Sequence, residues 1–183
     1  MTMHVIGFAL LGALTWSFLE YCIHRWMGHD RRFRKNAFAR EHIRHHIEGN
    51  YFAPTWKKVL LTAGLAAVLT PIFTALLGLG SGLAYVLGLL SFYGAYEVLH
   101  RREHTHAGIN AYGRWARRHH FFHHFENGKM NHGVTSPLWD LVFGTYRKPS
   151  LIHVPRRLCM EWLRDPQTGG ARREHEETFV LAA

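Results

Sequence analysis

Cysteine is nearly absent. Cys22 and Cys159 are the only two, and neither sits in a metal-binding or redox spacing. A thiolate zinc site and an iron–sulfur cluster are therefore excluded, and both thiols read as reduced and structural. Lys and Arg are missing altogether from residues 1–24 and 59–100. Acidic residues are scarce as well, 13 against 22 basic ones, which leaves a net charge of +9 and a pI near 10. Such a balance could suit nucleic acid, but the cations flank apolar runs and alternate with histidines and aromatics. Anionic lipid head groups explain them better, and no nucleic-acid partner is expected. No solenoid-type repeat or low-complexity linker is present.

Apolar residues fill the charge-poor stretches. Val5–Ile23 carries a single charge, Glu20; Val59–Leu79 carries none; Gly82–Leu99 carries only Glu97. As helices these stretches reach roughly 27 to 32 Å, enough to cross a hydrocarbon core. The first has no basic residue ahead of it and no small-residue cleavage site after it, so it reads as a retained helix rather than a signal peptide. The second and third read as a hairpin turning at Gly78–Gly82, with Pro71 kinking the second or making the hairpin re-entrant. Both basic segments then emerge on one side, which the positive-inside rule makes cytoplasmic. The expected setting is a bacterial inner membrane.

Histidine is abundant, and ten of the sixteen fall into four clusters: His24 and His29; His42, His45 and His46; His100 and His104; His120, His123 and His124. Each cluster borders an apolar run. Neutral imidazole is the commonest protein metal ligand, so the pattern predicts a metal centre beside a membrane. Residues three and four apart share a helix face, so the three histidines of the second cluster can point at one site, and likewise those of the fourth. His24 and His29 lie about 140° apart on an ideal helix and converge only if the helix bends or ends between them, with Gly28 the natural place. Ten imidazoles exceed the coordination of one ion. Two metals roughly 3.5 to 4 Å apart are the economical solution. Carboxylates near a membrane boundary need partners, so Glu20 and Glu97 are expected to orient the ligands.

These residues resemble a known family. The run Glu20-Tyr21-Cys22-Ile23-His24-Arg25-Trp26-Met27-Gly28-His29 is similar to the first histidine box of the fatty acid hydroxylase and sterol desaturase superfamily. His42-x-x-His45-His46, His100-x-x-x-His104 and His120-x-x-His123-His124 resemble its next three boxes, and residues 131–146 resemble the segment that closes its catalytic domain. The resemblance implies an integral-membrane oxidoreductase with a non-haem diiron centre that uses O2 to hydroxylate an unactivated C–H position of a fatty acyl or related lipid. Carotenoid hydroxylation and lipid or sterol desaturation are alternatives within the superfamily. Zinc could occupy the same ligands in purified protein. With no flavin, haem or iron–sulfur motif in the chain, electrons must come from a reductase with a ferredoxin or b-type cytochrome, and a basic face suits an acidic carrier. A membrane metal transporter or store is the competing class, against which stands the lack of a histidine or carboxylate relay inside the spans.

The expected fold is all-α: about three transmembrane helices with a cytoplasmic helical cap that carries histidine boxes. Residues 1–150 form the catalytic domain and 151–183 a loosely ordered tail. Ser136-Pro137 reads as the start of a short helix reaching Asp140, an expected supporting residue behind the ligands. His132, Trp139 and Phe143 are expected to line the substrate channel, and Phe121, Phe122 and Phe125 could line it too. His4 reads as interfacial, His153 and His175 as solvated. His106 and His119 read as neighbours of the site, although His119 could take the place of His120.

Overall fold

A computed structural model describes residues 2–33 and 35–182. Six α-helices follow in order: α1 Thr2–Cys22, α2 Ala37–Glu48, α3 Thr55–Leu77, α4 Leu79–Thr105, α5 Ala111–Phe125 and α6 Leu138–Val142. A π-helical segment, Ile23–His29, continues α1, and two short strands, β1 Ile152–Pro155 and β2 Phe179–Ala182, close the chain. Three continuous helical stretches are long and apolar enough to cross a membrane: Met3–His29, Thr55–Leu77 and Leu79–Thr105. The expected number of spans is therefore found, each longer than its apolar run. The hairpin turn is tighter than the five-residue segment predicted, because a single residue, Gly78 at φ 79°, separates α3 from α4 and Gly82 is already helical. Helix α3 runs unbroken through Pro71, and Thr74 donates its hydroxyl to the Thr70 carbonyl at 2.8 Å just beyond it.

The chain divides into two compact units. One comprises the residues up to Glu20 together with Ala53–Val98; the other comprises Tyr21–Phe52 together with the residues from Leu99 onward. In the first, Trp16, Tyr85, Val86, Leu89 and Tyr93 form the buried cluster, and Trp16 and Tyr93 hold their ring centroids 4.6 Å apart. Glycine allows α1 and α4 to touch backbone to backbone. A Cβ at Gly12 would fall 2.0 Å from the Tyr85 carbonyl oxygen, and one at Gly88 2.0 Å from that of Ala9. Small residues at such crossings are how helices pack where lipid gives no hydrophobic drive.

The second unit holds every histidine box. Asparagine starts both of its box helices: Asn36 accepts from the Ala39 N–H at 2.8 Å and Asn110 from the Gly113 N–H at 2.7 Å, each satisfying an orphan donor of the first turn. Gly49, at φ 68°, ends α2 with its N–H on the His45 carbonyl. Residues 151–182, expected to be loosely ordered, carry two strands and buried side chains. Strands β1 and β2 pair in parallel, with Ile152 opposite Phe179 and Pro155 opposite Ala182, and Ile152, Val154, Met160, Leu163 and Phe179 bury themselves around Phe121 of α5. Their alternation was too short to register as strands against the polar composition around them. Phe121 and its neighbours Phe122 and Phe125 accordingly belong to this core.

Substituting Gly88→Val should force α1 and α4 apart and destabilise the protein by about 2 kcal/mol or more, the usual scale for overpacking. Thermal unfolding in detergent micelles checks this, with Gly94→Ala, whose Cβ meets nothing within 4 Å, as the neutral control.

Candidate metal centre

Four elements of the second unit bring the ten clustered histidines into two groups of five. His24, His29, His42, His46 and His123 form one, and His45, His100, His104, His120 and His124 the other; in each group one nitrogen per residue lies within 4.8 Å of all the rest. The boxes are not used as units. Helix α2 sends the i, i+4 pair His42 and His46 to the first group and His45 to the second, while α5 sends His120 and His124 to the second and His123 to the first. Residues one turn apart share a face, and the neighbour one position away looks roughly 100° aside, so each three-histidine box must straddle two sites.

His24 and His29 converge through the π-helical segment. Its hydrogen bonds span five residues rather than four, so the five-residue interval that would splay an α-helix becomes a shared face. No bend at Gly28 is involved. That glycine has another duty: a Cβ there would lie 2.9 Å from Cδ2 of His42.

Within the groups the Nε2 atoms face each other. His42 lies 2.8 Å from His29 and 3.0 Å from His46, and His29 lies 2.9 Å from His123. In the second group His100 lies 3.0 Å from His45 and His104 lies 2.9 Å from His120. One proton can serve one such contact, so nitrogens meeting in threes cannot all be satisfied by hydrogen bonds. His24 Nε2 and both nitrogens of His124 are buried with no hydrogen-bond partner. Two donors held at right angles about 2.1 Å from a cation are about 3 Å apart, which is the separation found. The donor sets therefore fit two metal ions.

The second ring nitrogens fix this orientation. His24 Nδ1 donates to the His132 carbonyl at 2.5 Å, His45 Nδ1 to that of Tyr51 at 2.7 Å, and His123 Nδ1 to that of Met130 at 2.7 Å. A carbonyl only accepts, so each of these rings is protonated at Nδ1 and presents a lone pair at Nε2. Behind them lies Asp140, fully buried. It accepts from the His132 and Gly133 N–H groups at 2.8 Å each, from Thr145 Oγ1 at 2.7 Å and from His119 Nε2 at 3.1 Å. Burial pushes its carboxyl up, but the bonds from His119, Thr145 and Gly133 outweigh that and hold it below the ordinary carboxylate value. Thr145 in turn accepts from the Tyr21 hydroxyl at 2.9 Å, and Tyr21 from Arg25 at 2.7 Å. Asn131, in the left-handed region at φ 56°, clamps the same segment by a two-way bond to the Arg147 backbone.

A family model described as "Fatty acid hydroxylase" matches residues 9–145 of this chain. The chain belongs to the fatty acid hydroxylase family. Its relatives include a mouse fatty acid 2-hydroxylase, 32% identical over 76% of this chain and 39% of the relative, and an Arabidopsis thaliana dihydroceramide fatty acyl 2-hydroxylase, FAH2, 28% identical over 73% and 58%. Among solved structures, full-length scs7p with only its hydroxylase domain visible matches at a TM-score of 0.64 and 29% identity, over 81% of this chain and 58% of that one. The chain thus spans between about two fifths and three fifths of the proteins it matches here.

Asp140 bonds no box histidine directly; it acts through the His132 backbone, whose carbonyl holds His24. Glu97 pairs with Lys58 of α3 inside the first unit, and Glu20 is buried on α1. The carboxylate beside a box ring is Glu103, fully buried with Oε2 3.8 Å from His120 Nδ1. Its only sequence signal was its place next to His104. His119 turns to Asp140 and joins neither group, so it does not replace His120. His132 is buried with its ring against His24, His29 and His123. Phe143 stacks on Tyr21 at 5.2 Å, and Trp139 is half-buried on α6. An open apolar groove of about 510 Å³ runs along the π-helical segment, walled by Cys22, Ile23, Trp26, Met27 and Phe33 with Arg32 at its edge.

Burial, and then the neighbouring rings, pull His42, His46, His120, His123 and His124 well below the usual histidine value, and burial takes His132 down to about 4 despite the opposing Asp140 carboxylate. The unfolded chain therefore binds protons that the folded one refuses. Stability of metal-free protein should be complete above pH 6.5, the unperturbed histidine value, and fall steadily below it. Chemical denaturation across pH 5 to 8 measures this, and a flat profile would contradict it. Asp140→Asn replaces an acceptor for four donors by a group with donors of its own, and should cost about 3 kcal/mol in the same assay.

Proposed function

We propose that this chain is the catalytic unit of an O2-dependent hydroxylase that inserts one oxygen atom into a C–H bond of a fatty acyl chain held in a membrane lipid. The observation that carries the reading is the pair of five-histidine groups, with backbone carbonyls fixing three of the rings as Nε2 donors. The relatives add weight, being named fatty acyl or fatty acid 2-hydroxylases, so a 2-hydroxy product is the first to seek. The overall change balances as R–H plus O2, two electrons and two protons giving R–OH and water. Two irons held by His24, His29, His42, His46 and His123 and by His45, His100, His104, His120 and His124 would supply the O2 activation that no side chain provides.

The chain's own residues do the positioning. His132, through its carbonyl, and Asp140, through the His132 N–H, hold His24; Glu103 faces His120 from behind; Gly28 leaves room for His42. The lipid substrate approaches along the apolar groove at Trp26, Met27 and Phe33, and Phe143, whose ring lies 6.4 Å from that of Trp26, guides it together with Trp139 and His132. In this reading the membrane is a bacterial inner membrane, the basic segments beside the apolar runs support a centre that faces the cytoplasm, and two electrons come from a ferredoxin or b-type cytochrome with its reductase.

Iron-loaded protein prepared without zinc, which competes well for imidazole, should contain two irons per chain. With reductant and O2 it should add 16 mass units to a fatty acyl lipid. His45→Ala should cut turnover at least about 100-fold while membrane insertion persists. Wild-type rates in that variant, or an iron-loaded protein inert toward every acyl lipid, would overturn the reading.

A further inference from the structure

A second concavity in the histidine-bearing unit, about 320 Å³, is built from α5, the segment after α6 and the chain that follows. Arg114, Arg117, Arg118 and Lys148 line it against one carboxylate, Glu174. Arg117 is committed to three backbone carbonyls, those of His106, Gly113 and Arg102. The other three cations make no ion pair among the described residues: Arg114, which reaches the Ile109 carbonyl at 3.5 Å, and Lys148 are exposed, and Arg118 gives one N–H to the Pro149 carbonyl at 3.0 Å while its Nε is buried with no hydrogen-bond partner. Unpaired positive charge around a concavity attracts an anionic partner and steers its approach.

The wall of this cavity leads inward. Trp162 lines it and donates its Nε1–H to the Glu103 carbonyl at 3.1 Å, one residue before His104. Its ring lies 6.1 Å from that of Phe121, and Phe121, fully buried, lies 5.1 Å from His104, 5.5 Å from His120 and 6.1 Å from His124. Rings in contact thus run from a solvent-facing basic cavity to the second histidine group.

We propose that an acidic one-electron carrier protein docks over the cavity framed by Arg114, Arg118 and Lys148, and that its electrons enter through Trp162 and Phe121. The inference rests on the hydroxylase reading, which requires two electrons from outside; the carrier is oxidised by one electron in each of two encounters. Contacts of this kind are small and weak, governed by charge more than by area.

An acidic [2Fe–2S] ferredoxin is the probe, and its binding is measured on the metal-free full chain in lipid nanodiscs, so that no turnover is needed. Arg114→Glu with Lys148→Glu should weaken binding at least about tenfold at low salt and flatten its salt dependence. Arg40→Glu with Lys129→Glu, an equal change of charge on other exposed positions, should leave affinity near wild type. Equal losses in both pairs, or no loss in the first, would overturn the docking site. With iron-loaded protein, Trp162→Leu should slow oxidation of reduced ferredoxin severalfold at unchanged affinity, while Trp162→Phe, which keeps a ring, should stay close to wild type. Two variants equally slow would make Trp162 merely structural; two equally fast would remove it from the route. Charge-dependent docking without any hydroxylated lipid would sink the hydroxylase reading alone, whereas dithionite-driven hydroxylation with indifferent ferredoxin binding would sink the docking site alone.

Discussion

Lone pairs on buried imidazoles repel one another unless something positive lies between them. Ten such nitrogens are gathered into two knots, and the rest of the second unit exists to hold them there. The cost of this arrangement is visible in the rings themselves, which burial and mutual proximity keep neutral. A fold that gathers so many lone-pair nitrogens at one place is suited to hold cations there.

Rigidity around the knots comes from main chain rather than from side chains. Carbonyls of Tyr51, Met130 and His132 take the Nδ1 protons, and two of these three lie in the loop between α5 and α6. That loop has no regular structure of its own. Asp140 and Asn131 hold it in place by accepting from or bridging its backbone, and Tyr21 and Arg25 extend the network back to the π-helical segment. A buried carboxylate with four donors is costly to form and hard to perturb, which suits a part that must hold still.

Much of this was legible in the residues. The charge-poor runs became three helices long and apolar enough to cross a membrane, and the four histidine clusters supplied all ten members of the two groups. What the sequence hid depends on geometry a periodicity cannot express. The π-turns from Ile23 to His29 look like any helix end, and an HxxHH box reads as one face until its partners are known. Glu97 seemed to face the ligands, yet Lys58 lies within reach and neutralises it. Glu103 was marked only by its place next to His104, beside two more conspicuous acids, and the stretch after residue 150 looked too polar to pack, although Ile152, Val154, Met160, Leu163 and Phe179 are fully or almost fully covered.

Helices α2 and α5 each serve both knots in opposite proportion, two rings to one and one ring to two. Pinning either helix at one knot therefore sets the rotation and depth of its rings at the other. The two compartments are mechanically geared, and filling them should behave as a single cooperative event rather than as two separate equilibria.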